Sequence, residues 1–254
     1  MTSTFKDYFS TKSDSYASYR PKYPPALAEE LAKLCNEKNT ALDCGCGSGQ
    51  LSVLLADYFD HVIATDASSK QIESAEHHPK INYKVAPAEE IPLLDHSVDI
   101  VTIAQAAHWI DLKKFYTEAK RVLKPDGVLA LVSYQNAVFE NSACNSLIRD
   151  FYGNTLDQYW PPERRHVESG YQTLEFPFQE IAFPQLHIET EWNFFQLFGY
   201  LTTWSAFKAF EAAGGTADIQ AFKEKLIAAW GNLEATQKMR WPLSVRVAYI
   251  ASAT

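Results

Sequence analysis

The chain has 254 residues, 46% of them hydrophobic and 21% charged, which is ordinary for a globular protein with ample material for a core. Its formal net charge of −8 argues against a sequence-independent grip on nucleic acid or anionic lipid. Four cysteines make no disulfide framework, residues 1–7 lack the apolar core of a signal peptide, and no apolar run is long enough to span a bilayer. A soluble, cytoplasmic protein with reduced thiols is expected.

In chain order, residues 5–23 are rich in Tyr, Phe, Ser and Lys and stop at Pro21, Pro24 and Pro25. Pro24-Pro25-Ala26 opens a helix with Leu27, Leu31 and Leu34 at helical spacing. Residues 40–43 read as a first strand, followed by the run Asp43-Cys44-Gly45-Cys46-Gly47-Ser48-Gly49 and a helix over 50–59. A second strand, 61–66, ends in Asp66, and a helix over 69–77 stops before Pro79. Residues 81–86 alternate as a third strand, and 97–104 form a fourth that is apolar enough to be buried on both faces. A helix over 112–123 closes at the turn Lys124-Pro125-Asp126-Gly127, and 128–133 form a fifth strand. Strand and helix in strict succession predict a doubly wound α/β fold with a parallel sheet and right-handed crossovers. Beyond Ser133 the periodicity weakens. Helices over 194–213 and 217–230 and a last strand over 241–251 remain legible, among sheet-completing strands and a helical cap over the ligand-bearing edge.

The glycine run carries the functional signal. Glycine lacks a Cβ, so a loop of Gly45, Gly47 and Gly49 can turn sharply and let a ligand approach the main chain. Gln50 occupies the place of the last glycine in a dinucleotide fingerprint, and Asp43 adds negative charge where a pyrophosphate would sit. An acid there suits a ligand with an ammonium group, as an adenosyl amino acid has. Asp66 is placed to accept hydrogen bonds from ribose hydroxyls, or to cap the following helix. Ala88-Glu89 falls where an adenine edge should lie, although Glu89 also reads as a solvated loop acid. Gln105-Ala106-Ala107-His108-Trp109 follows the fourth strand at its ligand-binding edge. His108 is the candidate catalytic residue, either as a general base or as a hydrogen-bond partner of the acceptor; it also reads as a structural histidine packed on Trp109. Cys44 and Cys46 lack a second ligand pair at metal spacing, so no metal is expected.

Together these residues resemble the class I S-adenosylmethionine-dependent methyltransferases, and within them the small-molecule "type 11" group that includes trans-aconitate methyltransferase-like proteins. The likeness runs through residues 16–24, 42–49, Asp66, Ala88-Glu89, 104–109 and 121–127, and more weakly through Thr203-Trp204-Ser205 and Trp241-Pro242-Leu243. The resemblance implies a Rossmann-like, mostly parallel sheet with an antiparallel C-terminal strand. It implies S-adenosyl-L-methionine as cofactor and S-adenosyl-L-homocysteine as product. Tyr19 and Arg20 would lie in an N-terminal lid, with Arg20 reaching the cofactor carboxylate. Asp43, Gly45, Cys46, Gly47 and Gly49 would hold the methionine portion, Asp66 and Ala67 the ribose, and Ala88 and Glu89 the adenine, with Gln105 beside them. Ala86-Pro87-Ala88 departs from the Gly-Asp-Ala common in relatives.

One domain is expected over residues 1–254: a lid over 1–33, a core over 34–133 with later strands within 178–191 and 241–251, and a cap within 134–177 and 192–240. The reaction implied is in-line methyl transfer to a small-molecule acceptor, its oxygen a carboxylate or hydroxyl, with no nucleic acid or membrane partner. An NAD-dependent oxidoreductase on the same fold, a non-catalytic adenosyl-binding protein, and an RNA or protein methylating enzyme are the rival readings.

Overall fold

The computed structural model describes residues 20–250. Strands β1 (Thr40–Cys44), β2 (His61–Asp66), β3 (Ile81–Val85), β4 (Val98–Ala104) and β5 (Leu123–Tyr134) run parallel in the order 3-2-1-4-5. The sheet continues antiparallel beyond β5. The long strand β8 (Gln237–Ile250) pairs with β5 through its second half, and with β6 (Val138–Phe139) and β7 (His187–Trp192) through its first. This is a Rossmann-like α/β fold with a mostly parallel sheet and an antiparallel last strand.

Side chains alternate across the central strands and so feed two cores. Ala41, Ile100, Val128, Ala130 and Val132 point to one face, where α1 (Pro25–Lys33) and α2 (Gln50–Ala56) pack through Leu27, Leu31, Leu51 and Leu55. Leu42, Val101, Ile103, Leu129 and Leu131 point to the other. There α4 (Leu112–Val122) buries Phe115, Tyr116, Ala119 and Val122, one stripe at helical spacing, and its N-cap Asp111 accepts the Lys114 amide. Each such large apolar side chain contributes roughly 1.5–3 kcal/mol on burial. The short α3 (Ser69–Glu73) buries none of its residues and connects β2 to β3.

The turn expected at Lys124-Pro125-Asp126-Gly127 lies inside β5 as a bulge. Val98 pairs with Leu123 and Ile100 with Val128, and Asp126 takes a left-handed φ of 62° in the extra length of chain. Other boundaries differ by a few residues. The helix after β2 ends at Glu73, and β8 begins four residues before the expected Trp241, because β7 supplies a partner for its first half.

The helices after β5 are α5 (Ser142–Asp150), α6 (Arg164–Glu168), α7 (Phe194–Thr202), α8 (Ser205–Ala212) and α9 (Thr216–Trp230). Aromatic packing joins them: Phe151 stacks on Phe222 at 3.9 Å, and Trp204 meets Tyr152, Trp160 and Tyr200 at 5.3, 5.6 and 5.7 Å. The single helix expected over 194–213 breaks at Thr203-Trp204. Trp204 takes an extended backbone there, and its ring is buried among those three aromatics. Ring packing outweighs the gain from continuing the helix.

Candidate active site

A cleft of about 630 Å³ opens where the carboxyl ends of β1, β2, β3 and β4 meet, within the usual size of small-molecule sites. Arg20, Asp43, Gly45, Cys46, Gly47, Asp66, Ala67, Ala88, Glu89, Gln105 and His108 all line it. Gly49 does not, and Tyr19 lies outside the described residues.

The glycine loop is set by backbone conformation. Gly45, Gly47 and Gly49 all have positive φ, at 61°, 57° and 86°. A Cβ on Gly45 would meet Ala106 Cβ at 2.6 Å, and one on Gly49 would meet Tyr83 Oη at 2.3 Å. Gly49 thus lets α2 start beside Tyr83, while Gly45 lets the loop after β1 touch the loop after β4. The Cys46 amide donates to Thr65 O at 3.0 Å, and the Gly49 amide to Cys46 O at 2.9 Å. Burial pushes the thiols of Cys44 and Cys46 well up, so both stay protonated.

Asp43 is buried on the α2 face of the sheet. Ser52 Oγ donates to its Oδ2 at 2.7 Å, and Thr102 Oγ1, its register neighbour on β4, donates to Oδ1 at 2.9 Å. Burial raises its pKa to about 6 in spite of both hydroxyls. Asp66 closes the adjoining corner. The Gly47 amide donates to its Oδ2 at 2.9 Å and the Ser68 amide to Oδ1 at 2.8 Å. The Gly47 amide is therefore spoken for by Asp66.

At the end of β3, Ala86 and Ala88 are buried, and Glu89 Oε1 accepts the Asp111 amide at 2.9 Å. Trp109, Ile110 and Asp111 complete that end of the cleft. Gln105 follows β4 with a left-handed φ of 54°. Its amide donates to Val132 O at 2.8 Å and its Nε2 to Tyr134 O at 3.1 Å. A non-glycine residue in that region stores about 1 kcal/mol or more of strain, a feature concentrated at functional sites.

Tyr23, Tyr134, Arg20 and His108 also line the cleft. Arg20 Nη1 donates to Tyr134 Oη at 3.0 Å, and the rings of Tyr23 and Tyr134 meet edge-on at 6.2 Å. Behind them, α6 sets Arg164 against Tyr152 and Trp160, with Nε donating to Tyr152 Oη and Nη2 to Asn136 Oδ1, both at 2.9 Å. His108 sits on a 3₁₀ turn (Ala107–Trp109) between Trp109 and the fully buried Tyr171, whose Oη is 2.8 Å from Nδ1. Burial, with the charge of Arg164 next and then His166, lowers the His108 pKa to about 3. Sequence reasoning singled out His108, gave Tyr23 no role of its own and passed over Tyr171. The one local sign of Tyr171 was the glycine before it, which here has φ 61° beside Tyr171 at 65°.

Comparison with known proteins places this geometry. Residues 42–131, from β1 into β5, match a family profile described as a methyltransferase domain. A Dictyostelium discoideum protein described as a methyltransferase is 35% identical over 238 residues, covering 92% of this chain and 90% of its own. A solved structure from Anaeromyxobacter dehalogenans, described as a type II methyltransferase, shares 42% identity at a TM-score of 0.87, covering 92% of this chain and 99% of that one. A Bacillus halodurans structure at 18% identity and TM-score 0.50 shares the fold. The trans-aconitate-like subgroup finds no support among these relatives. The cleft fits the cofactor of the wider family: Gly47 lines it without a Cβ, and the Asp66 carboxylate lines it at the end of β2. The chain belongs to the class I S-adenosyl-L-methionine-dependent methyltransferases.

Proposed function

We propose that the acceptor is a small molecule that takes the methyl group on a carboxylate or hydroxyl oxygen, which displaces S-adenosyl-L-homocysteine in line. The observation behind this reading is that Arg20, Tyr23, Tyr134 and His108 line the same cleft as the glycine loop, with the Arg164 charge acting on His108. Polar donors on an aromatic frame suit a small oxygen-bearing ligand. When bound, the cofactor supplies a methyl group already activated on sulfonium, so alignment and exclusion of water are the protein's main tasks.

In this reading the Asp66 carboxylate accepts the ribose hydroxyls, with Ala67 alongside. Glu89 Oε2 and the Ala88 amide serve the adenine, because Glu89 Oε1 is already engaged by Asp111. Asp43, Gly45, Cys46, Gly47 and Gln105 border the amino-acid end, Arg20 closes over its carboxylate, and His108 meets the acceptor. Gly49 contributes through the turn alone. The net charge of −8 disfavours a nucleic acid acceptor, and free Cys35, Cys44, Cys46 and Cys144 suit the reducing cytoplasm.

The test has two stages. Calorimetric titration should show S-adenosyl-L-homocysteine binding and NADH failing to bind. A panel of carboxylic acids, phenols and amines with methyl-labelled cofactor should then transfer label to oxygen acids. Label passing only to amines, or only to RNA, would overturn the acceptor assignment.

A further inference from the structure

His108 meets Tyr171 through Nδ1, and which partner donates decides what the ring can do. Tyr171 is fully buried, and among the described residues Nδ1 is the one acceptor within hydrogen-bond distance of its phenolic hydroxyl. A buried phenol with no other acceptor in reach gives its proton to that nitrogen or leaves it unpaired, which is costly. Tyr171 is therefore the donor, Nδ1 the acceptor, and the ring proton sits on Nε2. Burial pushes the Tyr171 phenol well above its ordinary range, so it stays protonated and able to donate. Among the described residues Nε2 has no hydrogen-bond partner, and His108 lines the cleft.

Tyr171 is also clamped from behind. Arg246 on β8 is buried, and its Nη1 donates to the carbonyls of Tyr171 and Leu174, both at 2.8 Å. Its Nε and Nη2 donate to Glu180 Oε1. The segment is tight: Gly170 and Tyr171 are both left-handed, and a Cβ on Gly170 would lie 2.4 Å from Ser244 Oγ. A fully buried tyrosine at positive φ is strained, and the Arg246 clamp holds it there.

We propose that Tyr171, held from β8 by Arg246, is a positioning residue that fixes His108 with its proton on Nε2, so that the ring donates a hydrogen bond to the acceptor and takes no proton from it. This rests on the methyl-transfer reading of the cleft and narrows it. The acceptor must offer a lone pair to Nε2–H, and His108 does not generate the nucleophile. Arg164 and His166 are the charged groups that act on the ring, and with burial they keep it neutral at working pH.

Protein labelled with ¹⁵N-histidine reports the tautomer directly in long-range ¹⁵N–¹H spectra, with His108 assigned by His108→Gln. With and without S-adenosyl-L-homocysteine, His108 should show one Nε2–H tautomer that does not titrate between about pH 5 and 8. An Nδ1–H tautomer, or a ring that protonates in that range, overturns the proposal. Tyr171→Phe keeps the buried ring and removes the hydroxyl. It should give a tautomer mixture while leaving S-adenosyl-L-homocysteine affinity unchanged, and an unaltered tautomer overturns the proposal. The wild-type spectrum decides the matter even where the variant folds poorly. Failure of the cofactor product to bind would count against the methyl-transfer reading, whereas the tautomer of the ligand-free protein tests Tyr171 separately.

Discussion

Asp66 and Gly47 meet across the ends of neighbouring strands, the carboxylate Oδ2 accepting the glycine amide at 2.9 Å. Because Oδ1 takes the Ser68 amide, one side chain fixes both the loop after β1 and the turn after β2. Asp66→Asn leaves a single acceptor oxygen for two amides and sets an NH₂ group against one of them. Stability should fall by about 1–3 kcal/mol in urea melts. Calorimetric affinity for S-adenosyl-L-homocysteine should fall at least about tenfold, the loss of one charged hydrogen bond. Unchanged affinity would remove Asp66 from the ribose site.

The three loop glycines should respond unequally to alanine. Gly45→Ala and Gly49→Ala each add a clash to a left-handed φ, whereas the nearest atom to a Cβ on Gly47 is Gln71 Oε1 at 3.8 Å. The first two should cost about 2–4 kcal/mol and Gly47→Ala about 1 kcal/mol, read from denaturation midpoints. Tyr83 Oη is buried with no hydrogen-bond partner among the described residues, so Tyr83→Phe should be nearly neutral by itself and should rescue part of Gly49→Ala. Equal losses at all three glycines would contradict the contact geometry.

Asp43 makes stability depend on pH. Its folded pKa of about 6 lies above the ordinary 3.8, so the native state holds this proton more tightly than the unfolded chain does. The sign follows: this contribution is complete below about pH 4 and is lost as pH rises through about 6, for a total on the order of 3 kcal/mol. Asp43→Asn should flatten that slope when urea midpoints are compared on either side of the window. A cationic ligand beside the carboxylate would lower its pKa and expel a proton. Calorimetry near pH 6 should then give a binding enthalpy that varies with the ionisation enthalpy of the buffer. An enthalpy independent of buffer would show that Asp43 does not sense the ammonium.

Arg20 lines the cleft and donates to Tyr134 Oη. Arg20→Ala should weaken binding of the cofactor product by roughly tenfold, in keeping with the loss of a charge-assisted contact. Tyr134→Phe removes only the phenolic partner and should have a smaller effect. Equal affinity in Arg20→Ala and wild type would leave Arg20 without a role in the cofactor site.

The parts of the site legible in the sequence are those built from neighbours in the chain. The loop from Asp43 to Gly49, the acid closing β2 and the fourth strand's exit at Gln105 each announce themselves by local pattern. The glycine spacing hid a division of labour, because Gly49 faces Tyr83 and not the cleft, a contact 34 residues away that no spacing rule contains. Tyr171 stayed invisible for the same reason. It reaches His108 across 63 positions and Arg246 across 75, through a stretch with no regular periodicity. The break at Trp204 was equally out of reach, since ring packing with Tyr152 and Trp160 decides it and helix propensity does not.

The last strand, β8, belongs to two neighbourhoods at once. Leu243 to Ile250 border β5, Gln237 to Pro242 border β7, and Arg246 reaches from the same backbone to the carbonyl of Tyr171. Fraying of that single ribbon would strip β5 of its outer neighbour and the histidine of its support together. The nucleoside corner rests on β1, β2 and β3, which β8 does not touch, so partially denatured populations should contain a species that captures the methyl donor while failing to orient the acceptor.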